Sequence, residues 1–377
     1  TARSTDRPAR PHAAATPPPP PAAAPRAPGP LAAYAGVRVL VTGASGFIGG
    51  WVWRLLAEHG AEVWAAGRDG ARLRGSAPAG AGGGIAVADL SVPGAMAELI
   101  RRLRPAVTFN LAGYGVGRSE RDAALSRRVN AGVPAEAARA LASAPAERGW
   151  DGLRLVHTGS AFEYGCVAGT VDEDTAPVPA TRYGRDKLAG TAAVAAARAE
   201  TGLRAATVRV ATVYGPGEHP HRLLPTLLRA ARTREAVALT AGEQARDFTW
   251  VGDVAEGLLR VGLRGAAPAA LNLATGRACT VRDFAVQAMR AAGIPPAQVR
   301  FGAVPYAPDE VWQGPLDVRR ACALLGWLPP TPVADGIRAA HAAFTPPSPD
   351  RPNQLLPSRG KDPRFSPVSR RRTAYFQ

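Results

Sequence analysis

A serine, a tyrosine and a lysine form the most chemically informative set of residues in this sequence. Tyr183 and Lys187 are four residues apart in a predicted helix, a spacing that puts both side chains on one helix face. A phenol has an ordinary pKa of about 10, and a neighbouring ammonium group lowers that pKa towards neutrality. Ser160, 23 residues before Tyr183 at the end of a predicted strand, can polarise a carbonyl or alkoxide oxygen. Each residue alone is compatible with a solvated helix or a turn, but together they predict proton transfer at a carbonyl carbon.

A glycine-rich turn lies between the first predicted strand and the first predicted helix. Three glycines there have the spacing of a dinucleotide-binding turn, whose exposed amides and helix dipole bind the phosphates. The predicted cofactor ligands in the turn are Gly43, Ser45, Gly46, Phe47, Ile48 and Gly49. Tyr183 and Lys187 would contact the same cofactor, Lys187 through a hydrogen bond to the nicotinamide ribose.

The end of the second predicted strand bears on the choice between NAD and NADP. Enzymes that use NAD usually have an acidic residue there for the ribose 2′-hydroxyl, whereas a nearby arginine favours the 2′-phosphate of NADP. Here Arg68 follows the strand directly and Asp69 comes next. We therefore predict NADP as the cofactor, with Arg68 as a ligand of its 2′-phosphate. The alternative is that Arg68 is only solvated and Asp69 binds the ribose of NAD.

The elements that must position these residues follow an alternating pattern of strands and longer helices. This pattern predicts an α/β fold with a Rossmann-type, doubly wound parallel sheet and a smaller C-terminal substrate-binding lobe. We assign residues 36–215 to the NAD(P)-binding domain, to which a later segment at about 245–275 returns. Residues 216–344 form mainly the lobe. A glycine-rich loop at 80–84 is expected to precede a short third strand that begins at Ile85.

The two ends of the chain do not have the composition of folded protein. Residues 1–35 are rich in Pro and Ala, and residues 345–377 in Pro, Ser and Arg. Such segments cannot bury enough apolar surface to offset their ordering entropy, so we predict that both are disordered. They hold net charges of +3 and +5, half of the total of +16. The remainder has no recognisable basic module, which favours an anionic small substrate over a specific nucleic-acid partner.

The cysteines and the hydropathy bear on location. The three cysteines, which lack the spacing of metal ligands, are Cys166, Cys279 and Cys322. They indicate a reducing compartment and no bound metal. No apolar run approaches transmembrane length, and the N-terminal stretch lacks the apolar centre of a secretory signal. We therefore expect a cytoplasmic protein without a membrane partner.

Further motifs point to a family. They are Arg-x-x-x-x-Tyr-Gly-Pro-Gly at 209–217, Arg-Asp-Phe-x-x-Val-x-Asp-Val-Ala at 246–255, Asn-Leu-Ala-Thr-Gly at 272–276 and Leu-Gly-Trp-x-Pro at 325–329. With the glycine turn and the Ser-Tyr-Lys set, the chain resembles the extended short-chain dehydrogenase/reductase family of NAD(P)-dependent nucleotide-sugar epimerases, dehydratases and reductases. The resemblance covers residues from about 36 to 344 and implies a homodimer that acts on a nucleotide sugar.

The resemblance also implies roles for residues outside the two sets above. Asp89 and Leu90 follow the third strand, where the family uses an Asp to contact the adenine. Leu111 and Ala112 lie in a segment that resembles the family's strand-end element beside the cofactor. Arg246 would bind the substrate diphosphate, for which a planar bidentate donor is suited. The alternative for Arg246 is an ion pair with a neighbouring Asp.

The residues after Ser160 distinguish members of the family. Dehydratases have an extra acid two residues after the catalytic Ser or Thr, where this chain has Phe162, and Glu163 in an extended segment would point the other way. The pattern instead resembles that of reductases of 4-keto-6-deoxy sugar nucleotides. We predict such a 4-ketoreductase, with Ser160, Tyr183 and Lys187 as catalytic residues. A 4-epimerase is the alternative, and a non-catalytic NADP-binding protein is a further one.

Two positions depart from the pattern of those relatives. Relatives frequently have Glu where this chain has Thr191. The reductases often have an Arg near Tyr306 and Ala307, and its lack removes one expected phosphate contact.

Overall fold

The computed structural model describes residues 29–115 and 120–344. The strands in these ranges are β1 (Arg38–Thr42), β2 (Glu62–Gly67), β3 (Gly82–Val87), β4 (Val107–Asn110), β5 (Leu155–Ser160), β6 (Ala205–Val210), β7 (Thr212–Tyr214), β8 (Val237–Ala238), β9 (Ala245–Trp250), β10 (Ala270–Leu273), β11 (Ala278–Thr280) and β12 (Val299–Arg300). The α-helices there are α1 (Phe47–Glu58), α2 (Gly70–Ser76), α3 (Ala95–Leu103), α4 (Ala123–Arg127), α5 (Val133–Ser143), α6 (Arg182–Thr201), α7 (Leu223–Thr233), α8 (Val251–Gly262), α9 (Val281–Ala292), α10 (Arg319–Leu325) and α11 (Val333–Phe344).

A seven-stranded parallel sheet forms the centre of the molecule. Its order is β10-β6-β5-β4-β1-β2-β3, so the chain moves outward from β1 in both directions. In such sheets ligands bind at the carboxyl ends of the strands, where the order reverses. The sheet confirms the prediction of a Rossmann-type, doubly wound fold.

The residues of β1 show how the sheet is buried on both faces. Val39 and Val41 belong to one apolar cluster, whereas Leu40 belongs to another. Successive side chains of a strand point to opposite faces, so a continuous apolar strand needs cover on both sides. Helices α1 and α8 cover the first face, and α3, α5 and α6 cover the second.

Later segments form a smaller layer beside the carboxyl edge. Strands β7, β9 and β11 make a three-stranded sheet, and β8 pairs with β12. Helices α7, α9 and α11 pack around a separate apolar cluster in which Phe248 and Phe284 stack at 3.9 Å between ring centroids. Trp250 packs against both this cluster and that of α1 and α8, and so joins them.

The prediction that residues 1–35 are disordered is wrong for the last residues of this segment. Pro30–Tyr34 forms a 3-10 turn in which Leu31 and Tyr34 are buried, and the Tyr34 hydroxyl donates a hydrogen bond to the Leu259 carbonyl oxygen at 2.7 Å. Two large apolar side chains in a short turn were enough to order it, although the average composition of residues 1–35 concealed them. The rest of the predicted tails, residues 1–28 and 345–377, lies outside the described residues.

The predicted glycine-rich loop before the third strand is also wrong in part. Strand β3 begins at Gly82, and Gly84 pairs with Trp64 of β2. The Trp64 ring lies so close that a Cβ on Gly84 would be 2.8 Å from it. The glycines here make room for a bulky neighbour in an edge strand, an arrangement that turn propensity does not reveal.

Candidate active site

The glycine turn brings backbone amides to the carboxyl edge of the sheet. Gly43 follows β1 with φ of +67°, a conformation that favours glycine, and Gly46 is the N-cap of α1. A Cβ on Gly49 would lie 2.1 Å from the Gly43 carbonyl oxygen, so only glycine allows α1 to pack this closely on the turn. Phe47 and Ile48 form the first turn of α1, directly after Ser45 and Gly46. The free amides at this N-terminus fit a pyrophosphate group.

Buried polar side chains join the ends of β1 and β4 to the middle of β5, through hydrogen bonds that the sequence did not reveal. Thr42 Oγ1 donates to Asn110 Oδ1 at 2.8 Å and accepts from the Leu111 and Ala112 amides at 3.1 and 3.2 Å. Asn110 Nδ2 in turn lies 3.1 Å from His157 Nδ1. Leu111 and Ala112 therefore lie beside the glycine turn, as a cofactor-contacting segment must. The available signal was a polar residue at the end of β1 and of β4, and one inside the otherwise apolar first half of β5.

The ends of β2 and β3 bring together the residues predicted to hold the adenosine half of the cofactor. Arg68 is exposed immediately after β2. The Asp69 carboxylate caps α2 by accepting from the Arg72 amide at 2.9 Å. Asp89 accepts from the Ser91 amide, and hydrogen bonds from Ser91 lower its pKa, with a further contribution from the charge of Arg68. Leu90 beside it is buried.

Two helical turns bring the Ser-Tyr-Lys set together. Ser160 ends β5 and caps the 3-10 turn Ala161–Glu163, with its Oγ accepting from the Phe162 amide at 3.2 Å. Tyr183 lies in the first turn of α6, where the nearby Ser160 side chain acts to lower its pKa. Lys187 follows one turn later, almost fully buried, with Nζ 5.9 Å from the centre of the Tyr183 ring.

The electrostatics of this set differ from the prediction. Burial raises the pKa of Tyr183 well above its ordinary value, against a smaller lowering by Ser160. Burial also lowers the pKa of Lys187 to about 8, and Glu163 opposes that shift. The prediction that Lys187 lowers the pKa of Tyr183 is wrong in this structure, because Lys187 Nζ donates to the Thr158 carbonyl oxygen at 2.9 Å instead. Tyr183 is therefore protonated at neutral pH and available as a proton donor.

Glu163 points away from the reacting groups. Its Oε1 accepts from the Ser160 amide at 2.9 Å, and its Oε2 accepts from Arg209 Nε at 2.8 Å and from Thr191 Oγ1 at 2.9 Å. This orientation was expected, but its reason was not: the segment is a 3-10 turn with a capping box rather than an extended strand. Thr191, a departure from the family pattern, is one of the partners that fix this carboxylate.

Phe162, unlike Glu163, lies between Tyr183 and Arg246. Its ring packs edge-on against Tyr183 at 6.2 Å, and the Arg246 guanidinium lies 5.8 Å from its centre. Arg246 on β9 is buried, donates to the Val311 carbonyl oxygen at 2.7 Å and pairs with Glu310 at 2.6 Å. The alternative that Arg246 forms an ion pair is thus confirmed, but its partner is Glu310 and not a neighbouring Asp.

Arg246 lies in the wall of two cavities. One has about 340 Å³ of space and includes Phe162 and Gln313, and the other has about 450 Å³ and includes Glu218 and Arg222. The polar residues that sequence reasoning missed are Glu218, Arg222, Gln244 and Gln313 in these walls, and Glu310, which pairs with Arg246. They come from loops and strand ends without a motif, so only the fold brings them together.

A Rossmann-type sheet, a glycine turn at its carboxyl edge and an adjacent Ser-Tyr-Lys set define an NAD(P)-dependent enzyme of the short-chain dehydrogenase/reductase type. The sequence profile of the NAD dependent epimerase/dehydratase family matches residues 39–274. The chain belongs to this family of nucleotide-sugar enzymes. In the described ranges, no helix is long and apolar enough to cross a membrane.

Individual relatives are similar over most of the chain. It is 32% identical to a dTDP-6-deoxy-L-talose 4-dehydrogenase (NAD(P)(+)) of Kitasatospora kifunensis, over 82% of this chain and 96% of that protein. It is 30% identical to a UDP-glucose 4-epimerase of Mycolicibacterium smegmatis, over 80% and 96%. Among solved structures, MoeE5 in complex with UDP-glucuronic acid and NAD is 29% identical, with a TM-score of 0.69 over 81% of this chain and 98% of that one.

Proposed function

We propose that the protein is an NADPH-dependent 4-ketoreductase of a 4-keto-6-deoxy sugar nucleotide. The observation on which the proposal rests is the end of β2, where Arg68 and Asp69 are both exposed and the Asp69 carboxylate is engaged as the cap of α2. This arrangement favours a 2′-phosphate, and thus NADPH, as the cofactor. The similarity to a 4-dehydrogenase of a 6-deoxy sugar nucleotide supports redox chemistry at carbon 4.

The residues of the site suit this reduction. NADPH, when bound at the glycine turn, supplies the hydride. Tyr183 is protonated and donates its proton to the carbonyl oxygen, while Ser160 hydrogen-bonds that oxygen. Lys187 holds a positive charge at pH values below its pKa of about 8 and would hydrogen-bond the nicotinamide ribose of the bound cofactor. Arg246 binds the diphosphate.

Dehydration is disfavoured because, among the residues that the structure describes, none places an acid at the required position beside Ser160 and Tyr183. Phe162 occupies that position, and Glu163 is fixed by Arg209 and Thr191. A homodimer and a cytoplasmic location stay predictions from the sequence. Gel filtration with light scattering would test the first of these.

Turnover by the purified protein tests the proposal. We expect dTDP-4-keto-6-deoxyglucose to be reduced with one NADPH consumed per sugar, as followed by NADPH absorbance and by chromatography of the product. Consumption of NADH in preference to NADPH would contradict the cofactor assignment. If neither NADPH nor NADH is consumed with any 4-keto sugar nucleotide, the proposed reaction is wrong.

A 4-epimerase is the second candidate, favoured by the similarity to a UDP-glucose 4-epimerase and to a structure that contains NAD. An epimerase oxidises and re-reduces one carbon with the same cofactor molecule. Conversion of UDP-glucose to UDP-galactose without net consumption of cofactor would establish it in place of the reductase.

A further inference from the structure

The larger cavity beside Arg246 contains a buried carboxyl group without a full set of partners. The side chain of Glu218 is only 6% exposed, and its Oε1 lies 3.4 Å from Arg222 Nε. Within the described residues, Glu218 Oε2 has no hydrogen-bond partner. A buried oxygen of this kind is rare in proteins because it costs free energy when it is unpaired. Since Glu218 lies in the cavity wall, a group of a bound ligand could supply the missing partner.

The charges around the cavity show which protonation state of Glu218 an anion requires. Arg222 and Arg246 are positive, and Arg246 is already paired with Glu310. With Glu218 ionised these four groups sum to zero, and with Glu218 neutral they sum to +1. Other titratable groups on the adjoining elements are Tyr214 on β7 and the exposed His219 and His221 in the loop before α7.

The ionisation of Glu218 is poised for a change near neutrality. Burial raises the pKa of Glu218 to about 7, while Arg222 opposes this shift. The diphosphate of a nucleotide sugar is fully ionised at this pH and offers no hydrogen-bond donor. Placed beside Arg222 and Arg246, it would repel an ionised Glu218 but accept a hydrogen bond from a neutral one.

We propose that Glu218 binds the substrate diphosphate in its neutral form, with the Oε2 hydroxyl donating a hydrogen bond to a phosphate oxygen. The nucleotide sugar then binds together with one proton. This inference rests on the proposed function, because it takes the occupant of the cavity to be a nucleoside diphosphate sugar. If a sugar hydroxyl donated to an ionised Glu218 instead, affinity would change with pH in the opposite direction.

Calorimetric titration of the protein saturated with NADPH tests this inference. The probes are dTDP-glucose and UDP-glucose, which have no ketone to reduce and no proton of their own to exchange near neutrality. We expect the affinity to be nearly constant below about pH 7 and to fall towards tenfold per pH unit above it. Titrations at about pH 8 in buffers of different ionisation enthalpy should show the uptake of about one proton per site.

The variant Glu218→Gln separates this role from a structural one. Its amide donates a hydrogen bond at every pH, so its affinity should be independent of pH and exceed that of the wild type by about 30-fold at pH 8.5. Glu98→Gln, at an exposed ion pair with Arg101, is the matched control and should keep the wild-type profile.

The outcomes are distinguishable. Binding with unchanged or rising affinity from about pH 6 to pH 8.5 would overturn the role of Glu218 and leave the proposed function intact. The same would follow if Glu218→Gln kept the wild-type pH dependence. Absence of binding by both nucleotide sugars at every pH would overturn the proposed substrate class and this inference with it. The proton-uptake measurement needs no variant, so it holds even if Glu218→Gln does not fold.

Discussion

The cofactor end and the substrate end of the site are built differently. At the cofactor end, consecutive residues from Thr42 to Gly49 place backbone amides against a predicted pyrophosphate, and the side chains are mostly small. At the substrate end, Arg246 is bonded to Glu310, 64 residues away, and shares a cavity with Arg222 and Glu218. The first region is a local backbone conformation that a short motif specifies, whereas the second is a set of charges from several segments.

The two regions therefore differ in how many sequences can build them. A backbone turn has few sequence solutions, because φ angles and close approaches demand glycine. A charged cavity can be built by many sequences, because an arginine on any adjoining segment can supply the same guanidinium group. The following predictions test whether chemistry and cofactor choice depend on the local region as strongly as its motif suggests.

The largest effect is expected where the two regions meet. Tyr183→Phe should reduce kcat by about 10²–10⁴-fold and leave cofactor affinity nearly unchanged, because it removes only the proton donor. Steady-state kinetics and fluorescence titration with NADPH measure the two quantities. Tyr34→Phe, which removes a remote hydroxyl, should leave kcat at the wild-type value. Near-normal turnover of Tyr183→Phe would show that Ser160 and Lys187 do not act with this tyrosine.

Arg68→Ala tests a side chain within the backbone-dominated region. It should weaken NADPH binding by about 10–150-fold and leave NADH binding almost unaltered, since a charge-assisted hydrogen bond contributes about 1.5–3 kcal/mol. Dissociation constants for both cofactors measure this, with the exposed Arg102→Ala as a control. Tighter binding of NADH than of NADPH by the wild type would favour Asp69 as the ribose ligand and strengthen the epimerase alternative.

Gly49→Ala tests the backbone geometry of the turn itself. The added methyl would lie 2.1 Å from the Gly43 carbonyl oxygen, so α1 or the turn must shift, at a cost of about 1–3 kcal/mol in stability and cofactor affinity. Thermal melts with and without cofactor report both losses. Gly75→Ala in α2 has open space and should be neutral or stabilise by about 0.4–1 kcal/mol. Equal melting temperatures for the two variants would disprove the close packing.

The smallest effect concerns the segment that composition assigned to the tail. Tyr34→Phe should lower the free energy of unfolding by about 1 kcal/mol, because the Leu259 carbonyl oxygen keeps its helical partner, the Leu263 amide. Denaturant unfolding measures it. Removal of residues 1–28 should leave that free energy unchanged, as their composition offers no apolar face. A wild-type value for Tyr34→Phe would place Tyr34 outside the cooperative core.

The amino-acid sequence was sufficient to predict the parallel sheet, the glycine turn and the proximity of Ser160, Tyr183 and Lys187. These depend on periodicity and fixed spacing, which follow from helix and strand geometry and are local properties of the chain. It misjudged Gly84 and the turn at Pro30–Tyr34, because whether a glycine or a short apolar segment is ordered depends on distant neighbours such as Trp64 and Leu259.

The partners of the charged groups could be seen only in the tertiary structure. There, Lys187 is hydrogen-bonded to the Thr158 carbonyl oxygen, Glu163 to Arg209, and Glu310 to Arg246. The fold also buries Glu218 and Tyr183 so that desolvation raises their pKa values. A pKa is set by burial and by charges a few ångströms away, and neither quantity is a function of sequence separation.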